Sequence, residues 1–325
     1  MEYVNFGAAG VKVSRLALGL GLRGQADEAA AQRLIEHAID QGINLIDCAN
    51  VYGPMDDRAN IGRSEVVLGR AIKGRRDDVV ITSKVHGRIG PGPNDAGLSR
   101  YHILREVERT LKRLDTDHID VYLVHGFDQG APLDETVRAL DDLVRAGKTR
   151  YAGCCNYAAW QVCRALWVAD SYKAHAYMCV QNPYSLLNRR LEQEMFGLVR
   201  DRGLGVMAYS PLGVGLLSGA YKPGQPAPAG SLWATRRKEI YGKTLDGAVA
   251  DVIQTLHELA AELSKTPAQV AIAWVLDHPE VTCAISGVDN EAQLADVLGS
   301  VGWALPQEAR QRLDDVSSAM ATVLD

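Results

Sequence analysis

The chain alternates eight short apolar runs with amphipathic segments, and this rhythm constrains its fold more than any other feature. Each run is nearly continuously apolar, which is typical of a parallel strand buried on both faces. Most runs are followed by a segment with helical spacing of apolar residues, such as residues 27–42. The runs are SRLALGL (14–20), INLID (43–47), DVVITSK (78–84), IDVYLVH (119–125), TRYAGCC (149–155), AYMCVQ (176–181), LGVMAYS (204–210) and VTCAIS (281–286).

Strand-helix units repeated eight times predict one closed parallel barrel, the (β/α)8 or TIM barrel of the α/β class, over residues 1–325. The alternative is a doubly wound open sheet, which usually carries a GxGxxG phosphate loop directly after its first strand. The segment LGLGLRG (18–24) lacks a helical continuation in register, so the barrel is favoured. Helix starts are predicted at the capping residues Ser64 and Ser99 and at Thr266, which a proline follows.

Composition and charge limit the possible partners. Hydrophobic residues make up 47% of the chain and charged residues 23%, which is typical of a folded globular protein. A net charge of -5 attracts neither nucleic acid nor an acidic membrane surface, so we expect a small-molecule partner. The sequence has no apolar window of membrane-spanning length and no basic leader at its N-terminus, and the predicted location is the cytoplasm.

The six cysteines are predicted to be reduced and mostly buried thiols. None forms a CxxC pair or a cluster with histidine at the spacing of zinc ligands, so no metal site is expected. The sequence leaves the oligomeric state open.

The segment at about 219–247 breaks the rhythm of strands and helices. It is rich in proline and glycine, then basic, and it is too long for a routine connection between a strand and a helix. Such a segment is typical of an excursion over the barrel mouth that folds across a ligand. The alternative is a disordered insertion.

Four ionisable side chains follow the predicted second, third and fourth strands. Asp47, Lys84 and His125 end these strands, and Tyr52 follows Asp47 by five residues. Taken singly, each has a structural explanation, such as a turn cap, a rim aromatic, a solvated strand end or a core histidine. TIM barrels place their reactive groups at the carboxyl ends of the strands, and a buried strand gains nothing by ending in an unpaired charge. Their joint placement therefore favours an active site.

The four side chains together suit acid-base chemistry at an oxygen atom. A neighbouring ammonium stabilises a phenolate, so Lys84 can adjust Tyr52 as a proton donor or acceptor near neutral pH. The carboxylate of Asp47 can hold the lysine charged and oriented, and the imidazole of His125 can donate a hydrogen bond to a substrate oxygen. The set lacks an electron source, which a redox cofactor would supply.

With these residues in place, the chain resembles the aldo-keto reductase superfamily over essentially its full length. In that family the corresponding aspartate, tyrosine, lysine and histidine form the catalytic tetrad, which implies the same role for Asp47, Tyr52, Lys84 and His125. The matching segments are INLIDCANVYG, GRSEVVLGRAI, VVITSKV, HIDVYLVHGFD, ALDDLVRAGKTRYAGCCNY, VQNPYSLLNRRLE, GVMAYSPLGVGLLSG and PEVTCAISGVDNEAQLADVLG.

The resemblance also implies a site for the nicotinamide cofactor, NADP or NAD. The carboxamide would contact Cys155, Asn156 and Gln181, and the ring of Tyr209 would stack on the nicotinamide. Further along the cofactor, one group of residues would line the pyrophosphate and a second would wrap the adenosine. The first group is Ser210, Leu212 and Gly213, and the second is Ser286, Gly287, Asp289, Gln293 and Asp296.

Three departures from the family pattern bear on the cofactor. Cys155 replaces a usual serine, and a thiol is the weaker hydrogen-bond donor. Ala220 replaces a usual lysine, and Asp289 stands in a loop where NADP-preferring members usually carry a basic residue. The last two changes favour NAD, because an acidic residue repels a 2′-phosphate and can accept a hydrogen bond from a ribose hydroxyl. The alternative is that basic residues 236–238 supply the missing charge.

The sequence therefore predicts an NAD(P)-dependent oxidoreductase. Its reaction would transfer hydride between nicotinamide and a small aldehyde, ketone or sugar carbonyl and the matching alcohol, with Tyr52 as general acid or base. The alternative function is a redox-sensing regulatory subunit that binds nicotinamide tightly and turns over slowly. A metal-dependent hydrolase is disfavoured, because no HxH motif or carboxylate cluster stands at a strand end.

Overall fold

The computed structural model describes residues 1–22 and 24–320, so Arg23 and the last five residues of the predicted domain lie outside the described residues. Eight parallel strands close into a barrel, each pairing with the next along the chain and the last with the first. The predicted TIM barrel is confirmed. The barrel strands are β3 (Leu16–Gly19), β4 (Leu45–Asp47), β5 (Val80–Val85), β6 (Ile119–Val124), β7 (Thr149–Cys155), β8 (Tyr177–Pro183), β9 (Gly205–Tyr209) and β10 (Cys283–Ser286).

Every apolar run predicted as a strand contributes one strand to the barrel, because each can bury both of its faces. In β5, for example, all six residues are buried. Outward side chains pack against the surrounding helices, and inward side chains form a separate cluster inside the barrel. The inward cluster includes Ala17, Leu45, Val121 and Met207.

A short antiparallel hairpin precedes the barrel and closes its amino-terminal end. It consists of β1 (Tyr3–Asn5) and β2 (Lys12–Ser14). Phe6, in the turn region, is fully buried and belongs to the cluster inside the barrel. The backbone N–H of Ala8 donates to the carbonyl of Gly203, which precedes β9. The opposite, carboxyl-terminal end of the barrel is therefore the one left for a ligand.

The helices surround the barrel, and their starts test the capping predictions. Ser99 and Thr266 cap helices as predicted, each accepting a hydrogen bond from the first helical turn. The prediction for Ser64 is wrong, because that helix begins at Arg63 and Gly62, two residues before Ser64 and with φ 81°, occupies the capping position. The helices packed on the barrel are α1 (Glu28–Asp40), α2 (Arg63–Ala71), α3 (Arg100–Leu114), α4 (Leu133–Arg145), α5 (Ala159–Tyr172), α6 (Met195–Arg202), α9 (Ala248–Glu262), α10 (Pro267–Leu276), α11 (Glu291–Leu298) and α12 (Gln307–Val316).

The segment predicted as an excursion, residues 219–247, contains two short helices, α7 (Leu232–Thr235) and α8 (Lys238–Thr244). Trp233 in α7 is fully buried, and its indole N–H donates to the carbonyl of Val214 at 3.0 Å. The segment is therefore folded around its own buried aromatic residue.

Arg236 joins this segment to the loop that follows β4. Its guanidinium donates to the carbonyl of Met55 at 3.0 Å and lies 3.4 Å from the carboxylate of Asp56. Because the β4 loop also carries Tyr52, the excursion reaches the carboxyl-terminal end of the barrel, where the polar strand ends lie.

Within residues 1–22 and 24–320, no helix combines the length and the apolar character that crossing a bilayer requires. The same residues hold no group of three or more histidine, cysteine, aspartate or glutamate side chains placed to bind a metal ion. All six cysteines are free thiols, and five of them are buried, Cys163 being the exposed one.

Candidate active site

The predicted tetrad comes together at the carboxyl-terminal end of the barrel. The ammonium of Lys84 lies 2.7 Å from the Asp47 carboxylate and 4.7 Å from the centre of the Tyr52 ring. The Tyr52 hydroxyl lies 3.3 Å from Nε2 of His125. Neighbouring strands β4, β5 and β6 position these groups side by side, so four residues spread over 79 positions of sequence form one contact chain.

The pair of Lys84 and Asp47 is a buried ion pair with further hydrogen bonds. Lys84 is fully buried and also donates to the carbonyl of Cys48 at 2.8 Å. Burial alone would lower the pKa of Lys84, but the adjacent charge of Asp47 outweighs that effect, and the pKa lies above its ordinary value. The ion pair with Asp47 therefore favours the charged form of Lys84, which lies beneath the ring of Tyr52.

Asp47 accepts hydrogen bonds from two further side chains that sequence reasoning did not place there. The hydroxyl of Thr82 donates to its Oδ1 at 2.5 Å, and Nε2 of Gln181 donates to the same oxygen at 2.8 Å. Thr82 is a residue that the sequence analysis missed. A signal was present, because Thr82 and Lys84 are two apart in one strand and so point to the same face.

A second missed residue is Asn50, between Asp47 and Tyr52 in the β4 loop. It is fully buried, and both polar atoms of its side chain lack a hydrogen-bond partner among the described residues. A buried amide left in this state is a site for an additional polar group. The signal in the sequence was an amide residue within the loop that carries Tyr52.

Asn156 and Tyr209 flank the tetrad on the side of His125. The Tyr209 hydroxyl donates to Oδ1 of Asn156 at 2.8 Å, and Nδ2 of Asn156 donates to the carbonyl of His125 at 2.9 Å. Asn156 has φ 59°, a left-handed backbone conformation that asparagine tolerates better than most residues. Its side chain therefore links the ends of β6, β7 and β9 around the site.

Cys155 ends β7 and lies inside the barrel beside the tetrad. It is fully buried and packs in the inward cluster with Cys179 and Met207. Burial raises the pKa of its thiol, and the nearby charge of Lys84 offsets this only in part. The side chain is therefore a neutral thiol, with the weak donor capacity that the sequence predicts.

The segment after β9, which includes Ser210, Leu212 and Gly213, has an unusual backbone. Ser210, Gly213 and Val214 have φ angles of 53°, 55° and 56°, in the left-handed region. Successive turns of this kind direct backbone N–H groups to one side, and such concave arrangements bind anions. The segment could therefore hold a phosphate group.

The segment after β10 contacts the loop after β3. The backbone N–H of Gly24 donates to the Asp289 carboxylate at 3.2 Å, and the Gln25 amide donates to the Asp289 carbonyl. Gln293 accepts from the backbone N–H of Asp289 at 2.8 Å. Partial burial raises the pKa of Asp289, and the hydrogen bond from Gly24 opposes this. These contacts join the two loops on one side of the barrel mouth.

The remaining predicted cofactor residues take separate positions around β10. Ser286 is buried at the end of β10, and its hydroxyl has no hydrogen-bond partner among the described residues, whereas the adjoining Gly287 is exposed. Asp296 lies in α11 and accepts from the Thr266 hydroxyl at 2.7 Å. The carboxylate of Asp296 therefore already serves to join two helices.

Chemically, the arrangement is a phenol held between a buried ammonium and an imidazole. An oxygen atom placed against Tyr52 and His125 would meet two polar hydrogen-bonding groups and the field of Lys84. Such a site can deliver a proton to an oxygen that gains negative charge, or take one from it.

Comparison with known proteins gives relatives over nearly the whole chain. The chain is 39% identical over 325 residues to "Uncharacterized oxidoreductase YrpG" of Bacillus subtilis (strain 168), with 97% of this chain and 96% of the relative covered. It is 36% identical over 308 residues to "Probable voltage-gated potassium channel subunit beta" of Arabidopsis thaliana, covering 93% of this chain and 91% of the relative. A protein of the same description from Oryza sativa subsp. japonica is 36% identical over 303 residues, covering 91% of this chain and 90% of the relative.

The family comparison agrees with these relatives. Residues 15–318 match the Aldo/keto reductase family, which is a family of oxidoreductases. The matched region contains all eight barrel strands and all four residues of the tetrad. The chain belongs to the aldo/keto reductase family.

Proposed function

We propose that the protein is an NAD(P)-dependent oxidoreductase that interconverts a small aldehyde, ketone or sugar carbonyl with the matching alcohol. The observation that carries the proposal is the position of the Tyr52 phenol between Lys84 and His125, with Lys84 held in its charged form by Asp47. A bound nicotinamide would supply the hydride for reduction or accept it in oxidation.

In this proposal each tetrad residue has a separate task. Tyr52 passes its phenolic proton to the substrate oxygen during reduction, and the positive charge of Lys84 stabilises the phenolate that remains. His125 orients the same oxygen through a hydrogen bond. Asp47 keeps the lysine paired, because an unpaired buried charge would destabilise the fold.

The residues around the tetrad fit a dinucleotide. The amide of Asn156 and the ring of Tyr209 lie beside the tetrad, as a carboxamide and a nicotinamide ring require. The four left-handed residues between 210 and 215, which are Ser210, Gly213, Val214 and Gly215, suit the pyrophosphate, and the unpartnered hydroxyl of Ser286 offers a donor further along. Gln181 would contact both the carboxamide and Asp47.

For the adenosine end, we propose a preference for NAD over NADP. Gln293 and Asp289 stand in the segment assigned to the adenosine, and the carboxylate of Asp289 would repel a 2′-phosphate. Two of the three basic residues that could replace the missing charge have other partners, since Arg236 lies on Asp56 and Arg237 stacks on Trp233 at 5.2 Å. Because Arg236 and Arg237 are engaged elsewhere, we infer that Asp289 is the charged side chain that meets the adenosine ribose.

The test combines turnover with binding. Purified protein is mixed with NADH or NADPH and a panel of small aldehydes, ketones and aldoses, and cofactor oxidation is followed by absorbance. Cofactor affinity is measured separately by quenching of tryptophan fluorescence. We expect saturable turnover with at least one class of carbonyl and tighter binding of NADH. Cofactor binding without turnover above the rate in protein-free solution would overturn the enzymatic assignment.

A second candidate function rests on the relatives described as probable potassium channel β subunits, at 36% identity. In that case the same site binds nicotinamide tightly and reports its redox state to a partner, with slow turnover. The binding and turnover measurements separate the two functions, because a sensor retains the affinity and lacks the rate.

A further inference from the structure

Two arginine side chains come together where the β4 loop (48–62) meets the β5 loop (86–99) at the barrel mouth. Nη2 of Arg58, in the β4 loop, donates to the backbone carbonyl of Arg88, in the β5 loop, at 3.3 Å. Nη1 of Arg88 donates to two carbonyls of its own loop at 3.2 and 3.0 Å. Both side chains are exposed, and neither guanidinium is paired with a carboxylate among the described residues. Adjacent loops therefore present two positive charges that lack a counter-charge.

The backbone places this pair of arginines near the tetrad. Arg88 follows Lys84 by four residues, and four residues of chain span at most about 14 Å. Gly87 packs so closely on Val51, the residue before Tyr52, that a Cβ at position 87 would lie 2.6 Å from a methyl carbon of Val51. The backbone of Arg88 therefore begins beside the loop that carries Tyr52.

The carboxylates of the same two loops already have partners. Asp56 lies 3.4 Å from the guanidinium of Arg236. Asp95 lies 2.5 Å from the guanidinium of Arg105. Asp57 accepts a backbone N–H within its own turn at 3.0 Å. In a chain with a net charge of -5, two guanidinium groups without a carboxylate partner at the barrel mouth mark a place that attracts an anion.

The anion would belong to the substrate, because the phosphates of the cofactor have their proposed place elsewhere. The backbone proposed for the pyrophosphate follows β9, which is four strands from β5 in either direction around the closed sheet. The segment proposed for the adenosine follows β10, three strands from β5. A guanidinium presents a planar fork of N–H groups, which matches the oxygens of a carboxylate or a phosphate.

We propose that Arg58 and Arg88 bind an anionic group of the substrate, so that the protein acts on small aldehydes or ketones that carry a carboxylate or a phosphate. This inference rests on the proposed function, since it names the substrate class of the same site. The reacting carbonyl would lie against Tyr52 and His125, and the anionic group, several bonds away, would reach the two arginines. His86, two residues before Arg88, is partly exposed, has no hydrogen-bond partner among the described residues and offers a further donor along this path.

The first test compares anionic and neutral carbonyl compounds that share a carbon chain. The carboxylate arm pairs succinic semialdehyde with butanal, and the phosphate arm pairs glyceraldehyde 3-phosphate with glyceraldehyde. Oxidation of NADH is followed by absorbance, and the readout is the ratio of kcat/KM for the anionic compound over that for the neutral one. We expect at least one ratio to exceed about ten, because two guanidinium groups attract the anion and not its neutral counterpart. The arm with the larger ratio identifies the anionic group.

Charge variants connect this ratio to the two arginines. The double variant Arg58→Gln/Arg88→Gln should lower the ratio about tenfold, because both positive charges are removed. Arg88→Glu should lower it more than Arg88→Gln does, since a carboxylate repels the anion. All of these positions are exposed, so the variants should keep the unfolding midpoint of the wild type.

Arg150→Gln is the matched control. Arg150 is also exposed and has no ion pair among the described residues, but it lies near the start of β7, at the amino-terminal end of the barrel. The ratio should therefore stay at its wild-type value in this variant.

A second measurement does not depend on turnover. Succinate and inorganic phosphate are titrated into the protein by isothermal titration calorimetry, with and without NADH. We expect the wild type to bind at least one of the two, and Arg58→Gln/Arg88→Gln to bind it at least about tenfold more weakly. Phosphate held by the backbone after β9 would still bind to the double variant, so the difference between the two proteins measures the arginines alone.

The outcomes separate this inference from the proposed function. If neutral aldehydes are reduced but neither ratio falls in the arginine variants, the inference is overturned and the proposed function stands. If no carbonyl compound is reduced, charged or neutral, the proposed function fails, and the calorimetric comparison decides the anion site by itself. Equal binding of both anions by the wild type and the double variant, or binding by neither, would overturn the anion site.

Discussion

The ammonium of Lys84 lies 2.7 Å from the carboxylate of Asp47, and the two side chains are 0% and 5% exposed to solvent. A buried ion pair of this kind is costly to break from one side, since the remaining charge has no water to solvate it. The free energy that holds the pair together therefore also fixes the ammonium beneath the ring of Tyr52. In the proposed function, stability and catalysis would therefore depend on the same contact.

Asp47→Asn should destabilise the protein strongly. We expect the free energy of unfolding at pH 7, measured by urea titration without cofactor, to fall by about 3 to 5 kcal/mol. This is the usual cost, about 3 to 5 kcal/mol, of leaving one member of a buried ion pair without its counter-charge. Asp40→Asn, which removes the exposed partner of Arg75, is the control and should change little.

The loss of stability in Asp47→Asn should depend on pH, and the pKa of Lys84 gives the direction of that dependence. In the wild type the pKa of Lys84 is raised, so its stabilising contribution is complete below the unfolded pKa of about 10.5. In the variant the charge of Asp47 is gone, and burial lowers the pKa of Lys84 in the folded state. Between that lowered pKa and the unfolded pKa, the unfolded state binds more protons than the folded state. The free energy of unfolding of the variant therefore rises with pH in this range. The difference in the free energy of unfolding between wild type and variant should therefore become smaller from pH 7 to about pH 10. If this difference became larger over the same range, the claim that Lys84 is buried in its charged form would be contradicted.

Thr82→Val should slow the reaction without unfolding the protein. The hydroxyl of Thr82 holds one oxygen of Asp47 at 2.5 Å, and valine keeps the shape but cannot donate. We expect kcat to fall about tenfold with KM nearly unchanged, because a hydrogen bond to a charged group contributes about 1.5 to 3 kcal/mol and part of this orients the tetrad. Steady-state kinetics on the carbonyl substrate make the comparison.

Ser83→Ala is the matched control for Thr82. Its side chain points away from the tetrad, and its hydroxyl donates to the buried Glu65 at 2.5 Å. This variant should lose stability and keep kcat. If Thr82→Val and Ser83→Ala had the same effect on kcat, the hydrogen bond to Asp47 would have no special role.

Asp289→Asn should shift the cofactor preference toward NADPH. The amide oxygen can still accept from the N–H of Gly24, but the negative charge that would face a 2′-phosphate is gone. We expect the ratio of kcat/KM for NADPH over NADH to rise about fivefold to tenfold, as removal of one nearby like charge at a partly solvated site implies. Asp117→Asn, an exposed change just before β6, should leave the ratio unaltered. An unchanged ratio in Asp289→Asn would place the adenosine elsewhere.

Much of the fold was predictable because barrel strands carry a local signal. Each strand is short, apolar and buried on both sides, so all eight could be identified from their composition alone. The clustering of the four ionisable side chains was predictable for a related reason, since Asp47, Lys84 and His125 end apolar runs at positions where a charge has no packing role.

One contact that sequence reasoning missed is made across the barrel. Gln181 in β8 donates to Asp47 in β4, although the two strands lie on opposite sides of the closed sheet. That contact depends on the diameter and stagger of the barrel, which no single run of residues encodes. The fold of residues 219–247 could not be predicted for a similar reason. The position of Trp233 is set by long-range packing and not by local spacing.

The central claim is that Tyr52 transfers the proton, and Tyr52→Phe tests it most directly. The change removes one hydroxyl and leaves the ring above Lys84, so the stacking surface and the cofactor groove should persist. We predict that kcat falls by about 10²-fold to 10⁴-fold, the range that general acid catalysis contributes, while the Kd for the cofactor stays within about threefold of the wild-type value. A variant that retains wild-type kcat would contradict the account.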